Sequence, residues 1–141
     1  MQEKVVIDTN IYIGVFNRGL HRNEMDGFNK VFYLVHPVLH ELWMGATGNR
    51  EVRHLVRFGR AFIRSGRLVV PSSSTQVMIG KVCQKMRSLG RLNPTHPRIY
   101  NDVSIALLAR QIGATVVTEN RVDFDEIGKI VDFNFREVIV S

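Results

Sequence analysis

Hydrophobic residues fall along this chain in short β-branched runs separated by longer stretches of helical periodicity. Val5, Val6 and Ile7 form one such run, which stops on Asp8; Thr9 and Asn10 then open a second apolar segment with helical spacing. Short β-branched runs that end in a turn read as buried strands. Val31 to Val35 repeats the pattern and ends at His36 and Pro37, because the residue before a proline is kept out of the helical region. Pro37 stands at the entrance of a helix running to about Ala46, with Val38, Leu42 and Gly45 on one side and Glu41 between them. Arg67 to Val70 predicts a third strand. One of Ser72, Ser73 or Ser74 then caps a helix that runs to about Leu89 and stops at Gly90. The loop Arg91 to Arg98, stiffened by Pro94 and Pro97, leads Asn101 and Asp102 to the start of another helix, whose core stripe is Ile105, Leu108, Ala109 and Ile112. Gly113 closes that helix, Ala114 to Val117 predicts a fourth strand ending at Thr118, and Val138 to Val140 predicts a fifth at the sheet edge. Strands separated by helices throughout predict an α/β fold with a central, mostly parallel sheet covered by helices on both faces.

Composition narrows this picture. With 141 residues, 45% hydrophobic and 23% charged, and neither a repeat nor a linker, the chain reads as one domain over 1–141. Its longest apolar runs are too short to span a bilayer and it opens directly on a strand pattern, so the expectation is a soluble, cytoplasmic protein with no membrane partner. The single cysteine, Cys83, excludes an internal disulfide and lies at helical spacing among Val82, Met86 and Leu89, as a packing residue would.

Charge adds more. The formal net charge is +6 and the pI is near 10.0, which favours polyanionic partners or an acidic protein. Arg50, Arg53, Arg57, Arg60 and Arg64 recur at steps of three and four, so on a helix they fall within roughly 80° of one another. Val52, Leu55, Val56, Gly59, Phe62 and Ile63 take the other side. Such a stripe is either a solvated face or a binding face.

The notable acids lie at the ends of elements or on an apolar face. Asp8 follows the first strand, where it either caps the next helix or occupies the carboxyl rim at which open α/β sheets place ligands. Glu41, on its apolar face, requires a cationic partner or a metal. Asp102 opens a helix, and Glu119 and Asp123 follow the fourth strand. Right-handed crossovers put all parallel strand ends of one polarity on one rim, so Asp8 and Asp123 can meet there, joined by Asp102 if its helix starts at that rim. Clustered carboxylates repel unless a cation holds them, and a hard ion such as Mg²⁺ or Mn²⁺ suits an all-oxygen set. A basic protein with an acidic metal pocket has the two features that phosphodiester hydrolysis needs.

The segments VVIDTNIYI, HELWMGA, NDVSIALLA and VVTENRVDF, in that order and spacing, resemble the four motifs of PIN-domain ribonucleases, and most closely those of the small VapC-like toxins of type II toxin–antitoxin pairs. The resemblance covers nearly the whole chain. It implies a single three-layer PIN-like domain with a parallel sheet in the order 3-2-1-4-5. It also implies a Mg²⁺- or Mn²⁺-dependent endoribonuclease whose metal-binding acids are Asp8, Glu41, Asp102 and Asp123. Thr9 and Asn10 would support Asp8, and Thr118 and Asn120 would position the fourth acid or a coordinated water. Glu119 is an extra acid, so the fourth ligand is Asp123, Glu119 or both. Further implications are structured RNA such as tRNA or rRNA as substrate, an antitoxin as partner, and a homodimer. The arginine stripe would serve RNA or the antitoxin.

Other chemistries lack their residues. His40 and Glu41 begin an HE pair, but Met44 stands where a zinc protease helix needs its second histidine. There is no Gly-rich phosphate loop and no GxSxG turn. The five histidines are scattered and read as surface or packing residues, and Trp43 and the phenylalanines sit at core spacing. Two rival readings stay open: a PIN-like module that binds RNA or protein without catalysis, and an RNA-processing nuclease without an antitoxin.

Overall fold

In the computed structural model, which describes residues 2–139, the run Val5, Val6, Ile7 occupies the middle of the sheet, with each side chain at most 1% exposed. Consecutive strand residues point to opposite faces, so burial of all of them means that both faces are covered. The elements follow as β1 (Glu3–Ile7), α1 (Thr9–Arg18), a short helical turn (Arg22–Met25), β2 (Lys30–Val35), α2 (His36–Met44), α3 (Asn49–Arg64), β3 (Leu68–Val69), α4 (Ser73–Leu89), α5 (Pro97–Ile112), β4 (Thr115–Thr118), α6 (Arg121–Gly128) and β5 (Asn134–Glu137).

All strand pairs are parallel and the order is β3-β2-β1-β4-β5, as the resemblance implied. Val5 pairs with Phe32 of β2 on one side and with Thr115 of β4 on the other. The chain therefore winds outward in both directions from β1 and β4, and the crevice at their carboxyl ends is the topological switch point where such sheets bind ligands. α5 crosses the structure at its centre: every residue from Asp102 to Ala109 is buried. A helix buried nearly all round carries no clear amphipathic stripe, which is why its core extends beyond Ile105, Leu108, Ala109 and Ile112. Its end is set by Gly113, whose φ of 69° is the left-handed cap conformation that glycine adopts without strain. At α4, Ser72 is the serine that caps, accepting from the Thr75 amide.

Four sequence expectations are corrected. α5 begins at Pro97, so Asp102 lies in its second turn and does not open it. His96 takes the capping role, its ring nitrogen accepting from the Arg98 amide. The fifth strand is Asn134–Glu137, not Val138 to Val140; Val140 lies outside the described residues. Phe133 and Phe135 anchor this strand by stacking on each other and against the fully buried Phe124, an attraction that a search for β-branched runs does not register. Trp43 is 39% exposed, because Val38 and Leu42 hold the buried side of α2 and Trp43 lies about 100° around from Leu42. Phe28 is 78% exposed, in the turn before β2. No helix among the described residues is long and apolar enough to cross a membrane.

Candidate functional site

β1 delivers Asp8 to the switch point. The Asp8 amide donates to the Val117 carbonyl of β4 at 2.9 Å, extending the ladder by one bond. Its carboxylate is then held at both oxygens: Oδ1 accepts from the Thr9 amide at 2.8 Å, and Oδ2 accepts from the Thr118 hydroxyl at 2.7 Å. Asp8 thus caps α1 and also sits in the acidic rim; the two readings of its role are compatible. Thr118, fully buried at the end of β4, accepts in turn from the Asn120 amide at 2.9 Å.

The other acids join this chain of hydrogen bonds. The Thr9 hydroxyl donates to Glu41 Oε1 at 3.0 Å, so Thr9 joins Glu41 of α2 to Asp8. Asn120 caps α6, and its side-chain amide donates to Asp102 Oδ2 at 3.2 Å and to Asp123 Oδ2 at 2.8 Å. A continuous polar path therefore runs from Glu41 through Thr9, Asp8, Thr118 and Asn120 to Asp102 and Asp123. Residues more than a hundred positions apart in the chain meet because β1 and β4 are neighbours. Asp8, Asp102 and Asp123 are buried and Glu41 is half-buried.

Burial without matching positive charge governs the electrostatics. It pushes the Asp8 carboxyl up, against the hydrogen bonds from Thr118 and Thr9, and the charges of Glu119 and Asp123 push the same way. Burial likewise raises Glu41, opposed by the Thr9 hydroxyl and reinforced by Asp8. Asp102 is raised to about 9, first by burial, then by Asp8, Asp123 and Glu41. The four carboxyl groups, three of them pushed up by burial and neighbouring charge, form a donor set made only of oxygen, the chemistry that a hard divalent cation satisfies. The residues fit such an ion in kind and number. Among the described residues no three of them already converge as chelating ligands; they stand as two pairs, Asp8 with Glu41 and Asp102 with Asp123, each spanned by a neutral donor.

Glu119, whose charge also bears on Asp8, is engaged by a histidine. His21 Nε2 lies 2.6 Å from its Oε1, and the histidine side chain is only 6% exposed. His21 holds a left-handed backbone conformation, φ 57°, in the connection between α1 and β2. Nearby Glu24 pairs with Arg136 of β5 at 2.8 Å, so that connection is fastened to the far half of the sheet at two points. Asn10 is exposed. Arg50, Arg53, Arg57, Arg60 and Arg64 are all exposed on α3, and among the described residues none of them pairs with a carboxylate. A groove of about 690 Å³ between α1, α2 and α3, lined in part by Phe16, Glu41, Arg50, His54 and Arg57, joins the foot of this arginine face to the acidic rim.

Sequence reasoning missed two residues. His21 lies in NRGLHRN, where nothing in the spacing distinguishes it. Arg98 reaches Asp123 Oδ2 with Nε at 3.5 Å. Its signal was available, since it precedes Asp102 by four positions and shares a helix face with it, but only once α5 is started at Pro97.

No protein-family model matches the sequence, and no curated protein matches it. Solved structures do. A chain in the VapBC2 complex from Rickettsia felis, bound to a DNA fragment from their promoter, is 20% identical over 96% of this chain and 99% of that one, with a TM-score of 0.69. VapBC-1 from nontypeable Haemophilus influenzae contains a chain 19% identical, covering 95% of this chain and 97% of that one, with a TM-score of 0.68. A third is in VapBC-5 from Mycobacterium tuberculosis, a member of the VapBC family of toxin–antitoxin systems, with 17% identity, 96% and 98% coverage and a TM-score of 0.62. At these identities the likeness is one of fold, and the fold is the PIN-like one that the four motifs implied.

Proposed function

We propose that this chain, as one domain over residues 1–141, is a divalent-metal-dependent endoribonuclease and the toxin of a toxin–antitoxin pair. The observation that carries the reading is the joining of Asp8, Glu41, Asp102 and Asp123, from four separate segments, at the switch point of a parallel sheet. These four would hold Mg²⁺ or Mn²⁺, with Asp123 as the fourth acid, since Asn120 ties it to Asp102 while Glu119 is engaged by His21. When bound, the ion supplies neutralisation of the clustered charge and a lowered pKa for an attached water.

The chain's own residues do the rest. Thr9 and Thr118 fix both oxygens of Asp8, so that its orientation costs nothing when substrate arrives. The Thr9 hydroxyl aims Glu41, and Asn120 sets the spacing of Asp102 and Asp123. The arginines of α3 bind the phosphate backbone, and the groove past Phe16 and Glu41 leads it to the acids. Structured RNA such as tRNA or rRNA is the substrate this reading takes from the resemblance. An antitoxin as partner is supported by the toxin–antitoxin complexes among the structural neighbours. The same reading takes the protein to be a cytoplasmic homodimer.

The test is incubation of the purified protein with tRNA or rRNA, with Mn²⁺ and with EDTA. Cleavage in Mn²⁺ that stops with EDTA and in Asp8→Asn and Asp102→Asn supports the proposal. Cleavage that survives both substitutions removes it, and retention of RNA without scission at saturating metal replaces it by a binding module. Inhibition by the product of a small adjacent reading frame supports the toxin assignment; absence of any such frame leaves an RNA-processing nuclease.

A further inference from the structure

Among the described residues, Arg98 is the only arginine or lysine that forms an ion pair with any of the four acids. The other paired arginines are spent elsewhere: Arg91 on Glu126, Arg121 on Asp125 and Arg136 on Glu24. The geometry of the Arg98 contact is asymmetric. Its side chain is 64% exposed, whereas the Asp123 carboxylate that it touches is 5% exposed. The contact is also loose. Nε stands 3.5 Å from Oδ2, and that same oxygen already accepts from Asn120 at the shorter distance of 2.8 Å. Arg98 therefore stands at the solvent edge of the acid cluster with most of its side chain in solvent, and of its five N–H donors only Nε lies against a carboxylate.

Helix geometry keeps it there. Arg98 is the second residue of α5, one turn before Asp102 on the same face, so the element that carries an acid into the pocket also holds the guanidinium at its entrance. Its backbone is pinned by the bond from its amide to His96 Nδ1 at 3.1 Å, and Pro97 precedes it, so the base of the side chain is fixed while its head is free. A guanidinium is the side chain best matched to a phosphate, which it grips by two parallel N–H bonds. A phosphate brought to Asp123 comes within reach of the guanidinium that touches it.

We infer that Arg98 is a substrate-positioning residue that leaves Asp123 to grip a backbone phosphate of the RNA at the pocket entrance. The inference rests on the nuclease reading. Its role differs from that of the α3 arginines, which bind the strand away from the acids: Arg98 sets the register of one phosphate relative to them.

The experiment compares wild-type protein with Arg98→Ala and Arg98→Lys, using a short stem-loop RNA oligonucleotide taken from a tRNA, whose single-stranded loop offers the phosphate, and, separately, Mn²⁺ alone. Loss of the guanidinium is expected to weaken RNA binding about fivefold to tenfold and to flatten the dependence of log affinity on log salt by about 0.7, one phosphate's share on a single strand. Lysine should restore the salt slope but only part of the affinity, being a point charge without the bidentate fork. Mn²⁺ affinity measured by calorimetry should stay level or rise, because a competing cation has been removed. A parallel loss of Mn²⁺ affinity would show that Arg98 merely shapes the acid cluster, and RNA binding equal to wild type at every salt concentration would show no phosphate contact; either overturns the inference. If wild type cleaves the oligonucleotide and the variants do so with unchanged KM, Arg98 alone is refuted. If wild type neither retains nor cleaves it, the nuclease reading falls and this inference with it.

Discussion

Asp102 and Asp123 share one hydrogen-bond donor: the side-chain amide of Asn120 lies 3.2 Å from the first and 2.8 Å from the second. A neutral amide between two buried carboxyl groups partly offsets their repulsion and fixes their separation. Asn120→Ala removes both bonds and the α6 cap together. It is expected to lower Mn²⁺ affinity by about tenfold, the range seen when groups that orient metal ligands are lost. Titration calorimetry measures this directly, and affinity within twofold of wild type would mean that the amide does not set the spacing.

The pH dependence of stability has a definite sign. The Asp102 carboxyl sits at about 9 in the folded protein against 3.8 in its ordinary state. The folded form therefore binds the extra proton between those values, and its contribution to stability is full below pH 4 and is lost as pH rises towards 9. Metal-free protein should melt at progressively lower temperature over that range. Asp102→Asn should remove most of the slope and raise Tm at pH 8 by about 3 °C or more, from roughly 1 kcal/mol of relieved strain. Thermal melts in EDTA at pH 5 and pH 8 decide it; a Tm that climbs with pH in wild type would contradict the sign.

Thr118 is fully buried and both donates to Asp8 and accepts from Asn120. Thr118→Val keeps the shape and removes both bonds, leaving a buried carboxylate oxygen and a backbone amide unpartnered. The expected cost is about 2 to 4 kcal/mol, from two unsatisfied groups at roughly 1 to 3 kcal/mol each with partial relaxation. Urea unfolding in EDTA measures it, and a loss below about 0.5 kcal/mol would mean that water enters the site to replace the hydroxyl.

His21 and Glu119 offer a separate test of which acid is the fourth. Because Glu119 is engaged by His21, Glu119→Gln should leave Mn²⁺ affinity within about threefold, whereas Asp123→Asn should lower it by tenfold or more. A double-mutant cycle with His21→Ala and Glu119→Gln should show a coupling of about 1 kcal/mol, as contacting partners do. Reversal of the two metal affinities would exchange the roles of the acids.

On α3, Arg53→Ala with Arg57→Ala should flatten the salt dependence of RNA binding by about 1.4, two phosphates' share on a single strand. Filter binding across a salt series measures it. Unchanged binding would leave this face to a protein partner or to solvation alone.

Local sequence carried most of the secondary structure and singled out Asp8, Glu41, Asp102 and Asp123 as candidate acids. The apolar runs at Val5 to Ile7 and Val31 to Val35 are strands because their side chains cannot be placed in water cheaply, and Ser72 opens a helix while Gly90 and Gly113 close helices for reasons internal to a few residues. The order 3-2-1-4-5 came from the resemblance of four motifs, and the winding of β1 and β4 side by side bears it out. What only the tertiary structure decided are relationships between segments. Glu119 and Asp123 lie four positions apart in one turn and look equivalent in the sequence. His21, nearly a hundred positions away, engages one, and Asn120 joins the other to Asp102. Phe133 and Phe135 place the last strand earlier than the valines suggest, by packing on Phe124. Arg98 reaches the pocket only because α5 begins before it. Hydrophobic pattern and caps are properties of neighbours in sequence, legible residue by residue. The partner of a buried polar group is a property of neighbours in space, and the fold alone brings those together.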